Sequence, residues 1–349
     1  MAEAVAAAKT TKESHIRVAV TQHEAAWLDL EAGVQKTCKI IEEAAQAGAK
    51  LVAFSECWIP GYPAWIWTRN VDFELGVKYV KNSLVIDSAQ MRRICEAAAT
   101  NQINVSLGFS EREGNSVYIA QALIDENGKI VMKRRKMKPT HMERTIFGDA
   151  SGDCLASVVA LPDAGRVGGL SCWEHIQPLL KYYTLAQNEE IHVAAWPPLD
   201  DFVNGSPGFW SMSVEGGTTT LSCDKANKFP GCRNLSQTYA VEAQAYVLHC
   251  TGVIGEAGIK LMSTAGSPLM GHPIQGSSAV IGPDGRVLSE AGTTKEKLII
   301  ADLDLEQVVK AKTFADAGGH YSRPDMLWLG ADTSAKPVVR ISTTGQTQK

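Results

Sequence analysis

Cys172, Glu56 and Lys136 are the residues whose types could do covalent chemistry together. A thiol that gives its proton to a carboxylate becomes a nucleophile, and an ammonium beside them can hold the negative charge that grows when sulfur attacks a polarised carbon. Cys172 closes the stretch GRVGGLSC, in which Gly165, Gly168 and Gly169 surround a short apolar segment. Trp173 and Glu174 then lead into IQPLLKYYTLAQNEE, whose apolar spacing predicts a helix. A strand-to-helix corner pushes its apex side chain out of the sheet and aims the next backbone N–H groups at whatever lies in front, which suits a nucleophile beside an oxyanion site. Glu56 ends the run LVAFSE, and Lys136 lies in KRRKMK. Taken singly, each has a plainer reading: a small buried hydrophobe, a solvated loop carboxylate, an exposed basic turn.

The energetics of such a trio leave two routes open. A free cysteine has a pKa of ~8.5, and bringing it below 7 needs roughly 2 kcal/mol of preference for the charged form. A lysine ~4 Å away could supply roughly 4 kcal/mol at an effective dielectric of 20. Desolvation and the charge of Glu56 oppose it. Either Lys136 holds a resting thiolate, or Glu56 removes the thiol proton during attack.

The elements that must position these residues are written in the pattern around them. Ile16 to Gln22 is an apolar, β-branched run that predicts a buried strand, and Glu31 to Ala47 carries Val34, Cys38, Ile41 and Ala45 on one helical face with Gly48 after it. Leu51 to Glu56 is a second strand ending on the carboxylate. Trp58 to Trp67 holds two prolines, a glycine and four aromatic rings, so it predicts an irregular loop lying against something apolar. Asp87 is placed to cap the next helix. Two strands meet at Glu113–Gly114, and Asn127–Gly128 predicts a hairpin turn into KIVMKRRK. After Cys172, EIHVAAW is a strand stopped by Pro197; Pro198 to Gly231 has no clear periodicity and reads as an insertion or functional loop. Asn234 to Ala245 predicts a helix, AYVLHCT a strand, GSSAVIGPDGRVLSEAG a hairpin around Pro283–Gly285, and LIIADLD a last strand before a helix over Leu305 to Ala311. Pairs of strands alternating with single helices predict two packed sheets with helices outside, one thick four-layer α/β domain over residues 16–330. Residues 1–15 and 331–349 are expected to be flexible tails.

Composition removes several classes of function. With 349 residues, 34 Lys and Arg against 38 Asp and Glu, and a net charge of −4, nothing calls for nucleic acid or an anionic membrane surface. No apolar run approaches the ~18 residues of a membrane span, and no basic region precedes an apolar core at the N-terminus. The eight cysteines lack CxxC spacing, so neither a zinc site nor a redox pair is expected, and reduced thiols point to the cytoplasm.

Glu56 in LVAFSECWIPGYP, Lys136 in KRRKMKPTHMER and Cys172 in GRVGGLSCWEH together closely resemble the Glu, Lys and Cys segments of the nitrilase superfamily, and specifically its nitrilase branch. HVAAWP, Gly-Pro-Asp-Gly at 282–285 and GHYSRPD at 319–325 resemble that branch in the same order, so the resemblance spans most of 16–329. It implies a four-layer αββα sandwich, a Glu56–Lys136–Cys172 triad supported by Glu143, and the Trp173 N–H as an oxyanion donor. Lys136 is chosen over Lys133 and Lys138 because the family's lysine directly follows an arginine pair. The resemblance implies no cofactor and no metal, a small-molecule nitrile substrate, and a homo-oligomer built from dimers into a spiral or filament, with Pro198 to Gly231 as one possible contact. Tyr62, Trp173 and Trp196 are the candidate substrate contacts, and their rings favour aryl or arylaliphatic acetonitriles. The same motifs also resemble the fungal cyanide hydratases, and an amidase or a non-catalytic scaffold are more distant alternatives. One departure stands out: family members commonly have Phe-Pro-Glu where this chain has Phe54–Ser55–Glu56. Serine there removes the backbone restriction that proline places on its neighbour.

Overall fold

A computed structural model of the chain describes residues 15–200, 210–212, 215–218, 228–267, 269–292 and 296–339. In chain order its first half contains β1 (His15–Gln22), α1 (Leu30–Gln46), β2 (Leu51–Ala53), α2 (Phe73–Asn82), α3 (Ala89–Asn101), β3 (Asn104–Glu113), β4 (Ser116–Ile124) and β5 (Ile130–Arg135). The middle holds β6 (Val158–Leu161), β7 (Gly165–Ser171), α4 (Pro178–Leu185), β8 (Ile191–Trp196), β9 (Glu215–Thr218), β10 (Lys228–Pro230) and α5 (Cys232–Ala243). The rest is β11 (Tyr246–Thr251), α6 (Glu256–Met262), β12 (Ala279–Ile281), β13 (Val287–Glu290), β14 (Lys297–Asp304) and α7 (Glu306–Phe314).

The strands form two six-stranded sheets, ordered β14-β1-β2-β3-β4-β5 and β13-β12-β11-β8-β7-β6, and β9 with β10 makes a separate ribbon. Alternation along each strand divides its side chains between two layers. Ile16, Val18 and Val20 of β1 meet Val167, Val193 and Leu248 of the other sheet in a shared interior, while Ala19 points out to the layer beneath α1 and α3. On the opposite outer face, Leu180 and Leu185 of α4 and Tyr239, Ala240 and Ala243 of α5 cover Leu170, Ala194 and Val247. The result is the expected helix–sheet–sheet–helix sandwich, and each fully buried aliphatic side chain in it contributes roughly 1.5–3 kcal/mol. A further apolar cluster closes one end of the sandwich, where Tyr62, Trp65, Tyr79, Phe147, Ile259 and Met262 gather.

Local chemistry sets the helix ends. Asp29 caps α1 by accepting from Ala32 N at 3.0 Å, and Ser88, not Asp87, caps α3 by accepting from Met91 N at 3.1 Å. Two helices have no counterpart among the sequence expectations. α2 is capped by Asp72 and packs Leu75, Tyr79 and Val80 inward, but it also leaves Phe73 and Val77 exposed, so its apolar residues are divided between two faces. α6 has only seven residues and packs its Gly258 under the Trp27 ring. Residues 1–14 and 340–349 of the expected tails lie outside the described residues; before them, the amide of Lys336 donates to Ser151 Oγ at 2.6 Å. No helix among the described residues is long and apolar enough to cross a membrane.

Candidate active site

Cys172 sits where the sequence puts it, at a sharp corner. β7 runs between β6 and β8 and ends at Ser171, and Cys172 takes a left-handed backbone, φ +50°. That conformation costs a non-glycine residue of order 1–3 kcal/mol and persists only where its surroundings enforce it. A single 3₁₀ turn over Cys172–Ile176 comes next, and then α4 with Pro178 at its first position. The expected helix is thus shorter, ending at Leu185, because the chain must turn back quickly into β8.

Lys136 comes directly after β5, where burial alternates: Met132, Arg134 and Lys136 point inward, while Lys133 and Arg135 are half-exposed. Its amide donates to Ile119 O at 2.7 Å, which extends the β4 pairing by one residue. Glu56 comes three residues after β2, on a segment tied at Phe54 N to Ser106 O and at Glu56 N to Trp196 O. Gly108 of β3 makes this path possible, since a Cβ there would lie 2.2 Å from the Ser55 carbonyl oxygen. Backbone ties and a glycine floor therefore place Glu56 without the missing proline.

The structure brings these groups together. Lys136 Nζ lies 3.2 Å from Glu56 Oε2 and 2.7 Å from Glu143 Oε2, and all three side chains are buried. Ligand atoms of Glu56, Glu143 and Cys172 lie within 4.8 Å of one another. Such a trio could in principle hold a cation; here the ammonium of Lys136 already sits against both carboxylates. Glu143 is itself fixed, receiving Tyr62 OH at 3.0 Å and the amide of Thr140 at 2.6 Å, and Trp67 Nε1 donates to Tyr62 OH at 3.2 Å.

Burial decides the protonation of this cluster more than charge does. It pushes the Glu56 carboxyl up to about 8, with Lys136 opposing and Glu143 adding to the rise. It also drives the Cys172 thiol well above the ordinary range, again against Lys136 and with Glu56 and Glu143 reinforcing it. Burial would lower the Lys136 ammonium, but Glu143 and Glu56 hold it well above its usual value. Of the two routes left open by the sequence, these shifts favour a neutral thiol over a resting thiolate. Glu56 Oε1 is buried without a hydrogen-bond partner among the described residues, an acceptor with capacity for that proton.

A second buried ion pair, which sequence reasoning missed, holds Lys136 and Cys172 in register. Arg134 donates from both terminal nitrogens to Glu174, at 2.8 and 2.7 Å, and Glu174 also accepts from Met137 N and Ser171 N. Burial would raise the Glu174 carboxyl, yet Arg134 and these backbone donors bring it below the usual carboxylate value. A signal was present: residues two apart on a strand share a face, so an inward Lys136 implies an inward Arg134 that needs an acid.

In front of Cys172 opens a cavity of about 410 Å³, lined by Tyr62, Trp67, His141, Cys172, Trp173 and Met270 among others. Tyr62 and Trp173 are there as expected. Trp196 is not. It ends β8 on the face that looks outward to α5, fully buried, with Nε1 donating to Ser236 Oγ at 3.1 Å. Residues not anticipated as wall are Pro197 to Asp200, Met212, Leu269 and His141, whose ring stacks on Trp67 at 5.6 Å. Of the four rings in the Trp58 to Trp67 stretch, Trp58 and Trp65 belong to the core and Tyr62 and Trp67 to the cavity.

Comparison with known proteins gives a consistent result. The sequence model described as carbon-nitrogen hydrolase matches residues 17–313. An arylacetonitrilase of Hypocrea virens is 56% identical over 326 residues, covering 93% of this chain and 94% of that protein. One from Aspergillus kawachii is 57% identical over 329 residues, covering 94% and 95%. Among solved structures, the C. elegans NitFhit protein superposes with a TM-score of 0.65 at 17% identity, over 93% of this chain and 69% of that one. An amidase from Nesterenkonia sp. AN1, with its active-site cysteine modified, gives 0.60 at 18% identity, over 86% and 94%. The last two speak to the fold alone.

Proposed function

The chain belongs to the carbon-nitrogen hydrolase family, in its nitrilase branch, as a nitrile-hydrolysing enzyme, and from that premise we propose its substrate class and the division of labour among its residues. Cys172 is the nucleophile, Glu56 the general base, Lys136 the charge-stabilising cation and Glu143 the group that holds Lys136. The observation that carries this is the meeting of a thiol, an ammonium and two carboxyls, of which Cys172 and Glu143 line a cavity of about 410 Å³.

For a nitrile, Glu56 takes the thiol proton as sulfur bonds to the nitrile carbon, and Lys136 with the Trp173 amide stabilises the charge that moves onto nitrogen. Return of the proton from Glu56 to that nitrogen gives a thioimidate and restores the carboxylate. Water, losing a proton to Glu56, adds to it. Departure of ammonia leaves a thioester, and a second water releases the carboxylic acid and restores the thiol. Expulsion of the thiol in place of ammonia would give an amide.

The favoured substrates are aryl or arylaliphatic acetonitriles. The aromatic and apolar cavity wall supports this over a molecule as small as cyanide, as do the relatives named arylacetonitrilase. Incubation with phenylacetonitrile, cyanide and phenylacetamide, with ammonia and organic product measured, tests the assignment. Phenylacetic acid plus ammonia from the nitrile is expected; formamide from cyanide, with phenylacetonitrile untouched, would mark a cyanide hydratase. Cys172→Ala is expected to lower nitrile turnover by more than about 10⁴-fold, and undiminished turnover would remove Cys172 from the role of nucleophile.

We also read residues 16–330 as one hydrolase domain, cytoplasmic and self-associating through dimers. Ile176, Leu179 and Val241 are exposed on neighbouring elements of one outer layer, which favours a covered surface there. Sedimentation showing only monomer across a wide concentration range would oppose it.

A further inference from the structure

Turnover of a nitrile as proposed uses the sulfur of Cys172 and the amide of Trp173, and a role for the peptide between them rests on that reading. Neither group accounts for what holds that peptide in place. Nδ1 of His175 lies 2.7 Å from the Cys172 carbonyl oxygen. A carbonyl only accepts, so Nδ1 carries the hydrogen. Nε2 of His175 lies 3.0 Å from Nε2 of His192, and one of these two nitrogens must donate. Burial, with His192 and His249 nearby, pushes His175 well below the ordinary histidine range, so it is the neutral acceptor and His192 donates. His192 Nδ1 is then 2.8 Å from Glu189 Oε2, the two sharing one proton, and Tyr239 OH bonds the other oxygen of Glu189.

All four side chains are buried. The Trp196 ring stacks on His175 at 5.3 Å and the Tyr239 ring lies 3.9 Å from that of His192. Gly168 leaves the room: a Cβ there would stand 2.4 Å from Glu189 Oε2. This buried chain runs from the helical layer to the backbone of the reactive cysteine, and none of its four side chains lines the cavity.

We propose that His175 is a positioning residue for the reaction: donating from Nδ1 to the Cys172 carbonyl, it sets the plane of the Cys172–Trp173 peptide and so aims the Trp173 N–H at the reacting atoms. In a trans peptide the C=O and N–H point in opposite directions. Drawing the oxygen back onto His175 therefore turns the N–H forward, toward the side on which the sulfur meets its substrate. His192, Glu189 and Tyr239 keep His175 in the one tautomer that can donate from Nδ1.

The test compares wild type with His175→Asn, His175→Leu, His192→Gln and His192→Leu. It reads kcat and KM for phenylacetonitrile, and the rate of Cys172 alkylation by iodoacetamide followed by mass spectrometry of its peptide. Asparagine can place an amide N–H near the position of Nδ1, and glutamine one near Nε2. Loss of one oxyanion donor lowers kcat by about 10²–10³-fold, and that fall is expected for His175→Leu with KM little changed. His175→Asn is expected to recover most of it. Alkylation, a displacement at saturated carbon that builds no oxyanion, is expected to stay within about threefold of wild type in both. A smaller loss in His192→Leu, recovered in His192→Gln, is expected, and this pair carries the test if His175→Leu does not fold. Equal losses in the Leu and Asn variants, or alkylation falling in step with turnover, would overturn the proposal, since either marks a structural role only. Wild type that alkylates at Cys172 yet turns over no nitrile would overturn the assigned function instead.

Discussion

Two basic side chains, Arg134 and Lys136, point from one edge segment into the same dry interior, two residues apart, and meet opposite arrangements. Arg134 faces one carboxylate whose two oxygens accept four donors, two from its own guanidinium and two from backbone amides. Lys136 faces two carboxyls and a thiol, and Oε1 of Glu56 has no hydrogen-bond partner among the described residues. The first arrangement leaves no proton in question; the second leaves at least one without a settled home. Burial is equal in the two, and Nε of Arg134 is also without a hydrogen-bond partner among the described residues, so what separates a strut from a reactive centre is the carboxylate: both oxygens of Glu174 are satisfied, while Oε1 of Glu56 is open to a proton.

Changes on the two sides should therefore be felt in different quantities. Glu56→Gln keeps the shape but not the base, and should lower kcat by about 10²–10⁴-fold while leaving the denaturant midpoint nearly unchanged. Glu174→Gln should reverse the pattern. Removing one partner of a fully buried pair costs about 3–5 kcal/mol, read as a lower denaturant midpoint, with a smaller loss of turnover in what remains folded. If the two variants lost stability equally, the contrast between strut and reactive centre would fail.

A pH profile sharpens it further. Glu56 must be ionised to act as base, and its carboxyl sits at about 8, so kcat/KM should rise by about tenfold per pH unit below that value and level off above it. Glu174, held below the usual carboxylate value, stays ionised throughout that range. The stability it contributes is present above the unfolded glutamate pKa of ~4.3 and is lost only as pH falls from there through the lower folded value. A profile flat between pH 6 and 9 would contradict the burial-driven shift of Glu56. The smallest effect should come from Tyr62→Phe, which removes one hydrogen bond to Glu143 and should reduce kcat by about two- to tenfold.

Much of this was legible in the sequence. The corner at Cys172 and the strand ends near Glu56 and Lys136 have local signatures in glycine placement and apolar runs, and the layer order comes from how strands alternate with helices. The Arg134–Glu174 pair is hidden because each half sits in a motif whose recognisable chemistry belongs to its neighbour, Lys136 or Cys172. Trp196 departs from expectation for a simpler reason. A tryptophan at a strand end faces either layer depending on register parity, and only its bond to Ser236 and its stacking on His175 decide the outcome. The walls formed by Pro197 to Asp200 and by Leu269 and Met270 come from irregular segments, whose course depends on tertiary contacts that no periodicity records.

The pairing of β1 with β14 has a consequence for how the molecule is made. His15 lies opposite Asp304 and Gln22 opposite Lys297, so one flank of the earliest described strand lacks its neighbour until some of the last residues of the domain are synthesised. At about 5–20 residues per second, a nascent chain leaving the ribosome carries that open strand for roughly 15 to 60 s. During that interval it is a template for any passing strand, the situation that holding chaperones exist to cover. Translation that stopped short of Lys297 would therefore yield a sticky fragment with an uncovered sheet, and not an enzyme lacking only its last helix.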